Sequence, residues 1–189
     1  MKKSRRRLAA PSLLALALLL AGCGADQSAT PPPPPQAITS EAVGHYCGMN
    51  LDEHTGPKGQ ILLRDTPQPV WFTTIRQVFA YTFLPEEPKA IRAIYVQDMG
   101  RAPEGGSPPD DAWIDARKAH YVIESRYLGG MGAPDALPFL HEADAQAFAQ
   151  RHGGRVVAFQ DMPEDYVLSY TEPVLPNPHA DPSSAGAPS

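Results

Sequence analysis

Two cysteines are all that this 189-residue chain contains, and that scarcity excludes a disulfide-stapled framework, since one bridge at most could form. The chain also lacks a Cys-x-x-Cys pair, a Gly-x-Ser-x-Gly elbow, a His-Glu-x-x-His pair and a phosphate loop, so the common signatures of redox, hydrolytic and nucleotide-dependent enzymes are missing. Basic charge is scarce as well: Lys and Arg number 16 against 21 Asp and Glu. Five of the basic residues crowd into Lys2, Lys3, Arg5, Arg6 and Arg7, which leaves 11 against 21 beyond them, a net of −10. So acidic a surface argues against nucleic acid as a partner and against a basic lipid-binding patch. The one long apolar run, Leu8 to Leu20 with a break at Ser12, falls short of the ~20 residues that a helical membrane span needs.

That run does fit an export signal: a basic start, an apolar core, then Leu20-Ala21-Gly22-Cys23. The last four residues resemble a bacterial lipobox, in which the signal (1–22) is cleaved and Cys23 becomes the lipidated first residue of the mature chain. Gly24 follows it, rather than the aspartate of an inner-membrane retention signal, which points to the outer membrane with the domain facing the periplasm. Residues 23–43, with Pro31 to Pro35 in succession, read as a tether, because a proline run is extended and builds no packed core. Residues 172–189 are rich in Pro, Ala and Ser and are expected to form a disordered tail.

Between these ends, 44–171 is long enough for one domain. Strands are expected at Gln60–Arg64 and Gln68–Thr73. A helix is expected from a Thr74 cap to Phe83, because Ile75, Val78, Phe79 and Phe83 recur at helical spacing and Pro85 ends the run. A strand over Ala90–Met99 follows, then a Gly- and Pro-rich loop over Arg101–Asp111. The order repeats: strands at His120–Arg126 and Leu137–Leu140, a helix over Glu142–His152 stopped by Gly153-Gly154, and a strand at Arg155–Gln160. Val96-Gln97-Asp98-Met99 is echoed by Phe159-Gln160-Asp161-Met162. The fold class expected is α+β, two repeated ββαβ units of about 60–100 and 113–166 packed into one body.

The chemistry gathers in His45-Tyr46-Cys47-Gly48-Met49-Asn50-Leu51-Asp52-Glu53-His54. With Cys23 lipidated, Cys47 has no disulfide partner, and an unpaired thiol in an oxidising compartment calls for a role. Cys47 and Met49 at i and i+2 would share one face of an extended segment. Thiolate, thioether and imidazole together suit Cu(I) and not the oxygen-seeking Mg²⁺ or Ca²⁺. Binding through a thiolate releases a proton, so affinity should weaken as pH falls. Met131, in Gly129-Gly130-Met131-Gly132, is a third sulfur candidate, since no regular element would bury it there. His45 or His54 could complete the set. Met99 and Met162 follow strands and are expected to be structural. His120, His141 and His152 are expected to pack, cap or face solvent, and Trp71 and Trp113 to pack.

Cys47-Gly48-Met49-Asn50-Leu51, the stretch Glu53-His54-Thr55-Gly56-Pro57-Lys58-Gly59-Gln60, and Gly130-Met131-Gly132 with Pro138-Phe139 downstream resemble the NosL family of nitrous oxide reductase accessory lipoproteins. The resemblance runs from the lipobox to about Tyr166. It implies a periplasmic Cu(I) chaperone, not an enzyme, that delivers copper for the copper-sulfide centre of nitrous oxide reductase alongside an ABC-type membrane maturation complex. It also implies a metal site at Cys47, Met49 and Met131, with His54 in the matching motif. Two other classes stay open: a general copper or mercury scavenger, and a thiol-dependent enzyme of organomercurial-lyase type. One available cysteine is thin equipment for the latter.

Overall fold

Gly59–Leu63 (β1), buried at every position but its last, is the centre of a sheet. It pairs antiparallel with Val70–Phe72 (β2) on one side and Ile91–Gln97 (β3) on the other. A short fourth strand, Trp113–Asp115 (β4), extends this sheet along β3. In the computed structural model, residues 31–130 and 132–169 are described. The lipobox with Cys23, the expected tail over 172–189 and Met131 lie outside them.

Between β2 and β3 runs helix α1, Ile75–Phe83. Its start is set by Thr74, whose side chain accepts from the Gln77 amide, and its end by the approach to Pro85. The Lys89 ammonium then donates to the carbonyls of Tyr81, Thr82 and Leu84, placing a cation on the last-turn acceptors that the helix leaves unpaired.

The second half repeats the order. His120–Ile123 (β5) is the centre of a three-stranded antiparallel sheet, flanked by Leu137–Phe139 (β6) and Arg155–Ala158 (β7). Helix α2, Glu142–His152, lies between β6 and β7 in sequence and stops at Gly153. Glu142 and Asp144 stand in its first turn and Arg151 and His152 in its last, the charge order that a helix dipole favours. Strand orders β2-β1-β3 and β6-β5-β7 are therefore the same ββαβ plan used twice. A short helix not foreseen from the sequence, Glu164–Leu168 (α3), closes the described chain against α1.

The main core draws on both halves. Ile61, Phe72, Ile94 and Val96 from the first sheet meet Val78 and Phe79 of α1, Tyr121 and Ile123 of β5, and Met162 and Val167 near the end. The alternation along β5 sends Val122 the other way, to a second cluster with Leu137, Phe139 and Ala145 under α2. Met99 and Met162 are both buried. The tetrapeptide echo is incomplete, however: Gln97 ends a strand and is buried, whereas Gln160 lies exposed in a 3₁₀ turn. Trp71 and Trp113 are half-buried, their rings 6.1 Å apart.

Part of the proline-rich stretch has a fixed place. Tyr95 donates its hydroxyl to the Pro33 carbonyl at 2.7 Å. The Gln60 carboxamide accepts from the Gln36 amide at 2.8 Å and donates to the Gln36 carbonyl at 2.9 Å. Gln60 and Tyr95 are register partners, so the segment crosses the face of the first sheet opposite the main core. An extended chain presents free carbonyls, and here the sheet uses them.

Candidate metal site

The stretch around Cys47 is a tight hairpin, not the extended segment that its i, i+2 spacing suggested. Val43 bridges antiparallel to Asn50. The Leu51 amide donates to the Ala42 carbonyl, the Gly44 amide to Met49, and the Gly48 amide back to Gly44. Gly48 turns the chain with φ +68°, a value that suits glycine. The hairpin is docked on the edge of the first sheet, where Gly44 bridges to Trp71 and the His45 amide donates to the Trp71 carbonyl at 2.8 Å. The contacts that fix the turn come from β2, some twenty residues on in sequence, which is why local spacing misread it.

Within the hairpin Cys47 is half-buried and unpaired. Its Sγ lies 3.4 Å from Thr73 Oγ1, and the Thr73 hydroxyl donates to Gln77 Oε1 at 3.3 Å. The thiol therefore rests beside the first turn of α1. A methyl group on Gly44 would come within 2.6 Å of Sγ, so the sulfur occupies space that only a glycine leaves open. Met49 is half-buried and its carbonyl closes the hairpin.

The two neighbouring histidines differ. His45 Nε2 is 3.1 Å from Glu87 Oε1, which also accepts from the Tyr46 hydroxyl at 2.8 Å; burial and the Glu87 carboxylate both push the Tyr46 phenol pKa up. The His45 ring also stands edge-on to Tyr46, Phe72 and Tyr81. His54 lies in the loop after a 3₁₀ turn over Leu51–Glu53. Its Nδ1 is 3.5 Å from the Gly130 carbonyl, and its Nε2 is buried with no hydrogen-bond partner among the described residues. An orphaned buried imidazole nitrogen is costly unless something else uses it.

Gly130 links this loop to the second half. A Cβ there would lie 2.5 Å from the Thr55 carbonyl and 3.0 Å from the His54 Cβ, so the glycine loop that carries Met131 in sequence comes directly against His54. Asp135, just beyond that loop, reaches the same end of α1: its carboxylate accepts from the amides of Ile75, Arg76 and Ala136 at 3.2, 2.9 and 2.8 Å. Burial raises its pKa to about 6 against the pull of those bonds. Thus the Cys47 hairpin and Asp135 both reach the start of α1, and the His54 loop meets the second half at Gly130. Among the described residues, no three His, Cys, Asp or Glu side chains gather as a metal-binding group.

Sequence reasoning missed Thr73, Gly44, Asp135 and Lys58. Lys58 alone left a signal, its place inside the Gly-Pro-Lys-Gly-Gln run. His120 is half-buried on β5, His141 precedes α2 without capping it, and His152 stacks on Phe148 at 4.2 Å.

The family model described as NosL matches residues 35–167, a span that takes in the hairpin, the His54 loop and both sheets. The chain belongs to the NosL family. Over 169 residues it is 43% identical to the copper-binding lipoprotein NosL of Achromobacter cycloclastes, covering 89% of this chain and 86% of the relative. To the copper-binding lipoprotein NosL of Stutzerimonas stutzeri it is 35% identical, covering 82% and 81%. The crystal structure of the copper chaperone NosL from Shewanella denitrificans superposes with a TM-score of 0.66 at 33% identity, covering 71% of this chain and 98% of that one. None of these NosL relatives is named as an enzyme.

Proposed function

We propose that this NosL-family chain is a lipid-anchored Cu(I) chaperone that binds its cargo through Cys47, Met49, Met131 and His54, with Cys23 as the lipidated residue. The observation that carries this reading is the buried His54 Nε2, without a hydrogen-bond partner among the described residues, on a ring whose Nδ1 lies 3.5 Å from the Gly130 carbonyl. The Cys47 thiol, beside the first turn of α1, supplies the anionic sulfur. Two thioethers, a thiolate and an imidazole form a soft donor set, and Cu(I) is the soft ion that accepts it at low coordination number. Having Nε2 free while His45 is held by Glu87 favours His54 over His45 as the imidazole.

A hairpin tip with few ligands suits delivery, because an acceptor can add its own sulfur or imidazole before the donor lets go. The acceptor proposed is nitrous oxide reductase, whose copper-sulfide centre would be assembled with an ABC-type membrane complex, and the setting is the periplasmic face of the outer membrane. The copper and lipoprotein names of the relatives support the coarser part of this reading.

The test is an anaerobic Cu(I) titration of the full chain in detergent against a chromophoric chelator. Wild type should compete for one equivalent, and Cys47→Ser should lose that competition while keeping its circular dichroism spectrum. Equal competition by the two would remove Cys47 from the site. Holo-protein that fails to restore activity to copper-depleted nitrous oxide reductase would turn the reading toward storage or scavenging.

A further inference from the structure

Lys58 is buried, only 6% exposed, and none of the ion pairs among the described residues includes it. Burying an ammonium without a carboxylate is expensive unless every proton finds an acceptor. Two acceptors are backbone carbonyls: Lys58 Nζ donates to His54 O at 2.6 Å and to Gly56 O at 2.7 Å. Its own amide donates to Gln97 Oε1 at 3.0 Å, at the end of β3.

These bonds act on one short loop. Residues 54–57 form no strand or helix, Pro57 has no amide to donate, and Gly56 bends back with φ +86°. Among the described residues, the loop's backbone is also tied by the Gly56 amide to Ser107 Oγ at 2.8 Å and the His54 amide to the Leu51 carbonyl at 3.3 Å, and the His54 ring by its Nδ1 to the Gly130 carbonyl at 3.5 Å. Without Lys58, the carbonyls on either side of Thr55 would have to find other donors, and the backbone that carries the His54 imidazole would be free to swing.

We infer that Lys58 is a positioning residue of the metal site: its buried ammonium clamps the carbonyls of His54 and Gly56 and so holds the His54 imidazole against the Gly130 loop. The inference rests on His54 being a ligand, as proposed above. A lysine suits the task because a point charge on a flexible stem can meet two carbonyls that share no plane, whereas a guanidinium presents a rigid planar fork.

The experiment is the same anaerobic Cu(I) competition on the full chain in detergent, comparing wild type, Lys58→Met, His54→Ala and the double variant. Lys58→Met keeps the length of the stem and removes the donors. It should weaken Cu(I) binding about tenfold, the scale on which outer-shell partners act. The double variant should bind no more weakly than His54→Ala alone, since a clamp has nothing to hold once the imidazole is gone. Additive losses would make Lys58 merely structural and overturn the inference, as would unchanged binding in Lys58→Met beside a weakened His54→Ala. If His54→Ala binds like wild type while Cys47→Ser does not, the ligand assignment of His54 fails and the inference fails with it. Should Lys58→Met not fold, couplings across the hydrogen bonds from the wild-type ammonium to the carbonyl carbons of His54 and Gly56 decide the matter in nuclear magnetic resonance spectra. Resolved couplings support the clamp, and a freely averaging ammonium signal overturns it.

Discussion

The two ββαβ halves share a strand order and differ in what their helices do. Helix α1 buries Ile75, Val78, Phe79 and Tyr81 in a core supplied by both sheets, and its first turn meets the Cys47 hairpin and Asp135. Helix α2 buries Ala145 alone and covers the outer side of the second sheet. One helix is therefore a keystone and the other a lid. Repetition of a topology fixed where strands and helices lie, but the amount of apolar surface on each helix decided which half could anchor a site.

Removing a ring from each helix should break that comparison most sharply. Phe79 is fully buried and contacts Tyr121 and Phe159 at ring distances of 5.0 and 4.9 Å, so Phe79→Ala should cost about 3–5 kcal/mol in urea denaturation. Phe148 is only half-buried on α2, and Phe148→Ala should cost about 1–2 kcal/mol. Equal losses would mean that the two helices carry equal weight.

A smaller effect tests the tie between the halves. The Asp135 pKa lies near 6 in the folded chain against 3.8 as its ordinary value, so the native state holds the proton to higher pH than the unfolded chain does. The destabilisation from burying the carboxylate is then fully present above about pH 6 and is relieved as the pH falls toward 4. On the order of 2–3 kcal/mol is at stake for a shift of roughly two units. Asp135→Asn should flatten the stability profile across that window, as read by thermal unfolding at stepped pH. A profile that keeps its slope in the variant would assign the titration to another group.

The smallest expected change separates the two histidines. His45→Ala should leave Cu(I) affinity within about twofold and, by losing its pair with the mostly buried Glu87 and its edge-on ring contacts, should lower stability by about 1 kcal/mol. A large loss of affinity would move the imidazole ligand from His54 to His45.

What the sequence made legible was local. Helix α1 could be read because Thr74, the 75-78-79-83 spacing and Pro85 state its start, face and stop within a dozen residues. The Gly153-Gly154 stop did the same for α2, and the doubled order of elements followed from these. The hairpin at Cys47 was not legible, because its shape depends on β2 backbone groups that no local pattern announces. The proline run illustrates the same limit: composition suggests an extended tether, yet only the structure shows Tyr95 and Gln60 taking hold of it at Pro33 and Gln36. For the site, residue type pointed to the sulfurs and imidazoles, whereas Lys58, Thr73 and Asp135 act through contacts 2 to 60 residues away.

The carboxylate of Asp135 has a consequence in time. A chain is made from its N-terminus, and the Ile75 amide at the start of α1 is made 60 residues before the carboxylate that receives it. Non-local contacts of this kind slow folding, because a long loop must close before they contribute. During that interval the Cys47 thiol sits beside a helix end that still lacks its partner loop, and the glycine segment that abuts His54 has yet to arrive. Assembly of the proposed metal site is therefore a late event, gated by arrival of the second half, and a thiol on a stalled or truncated chain would meet oxidants or stray ions without the surroundings that define its chemistry.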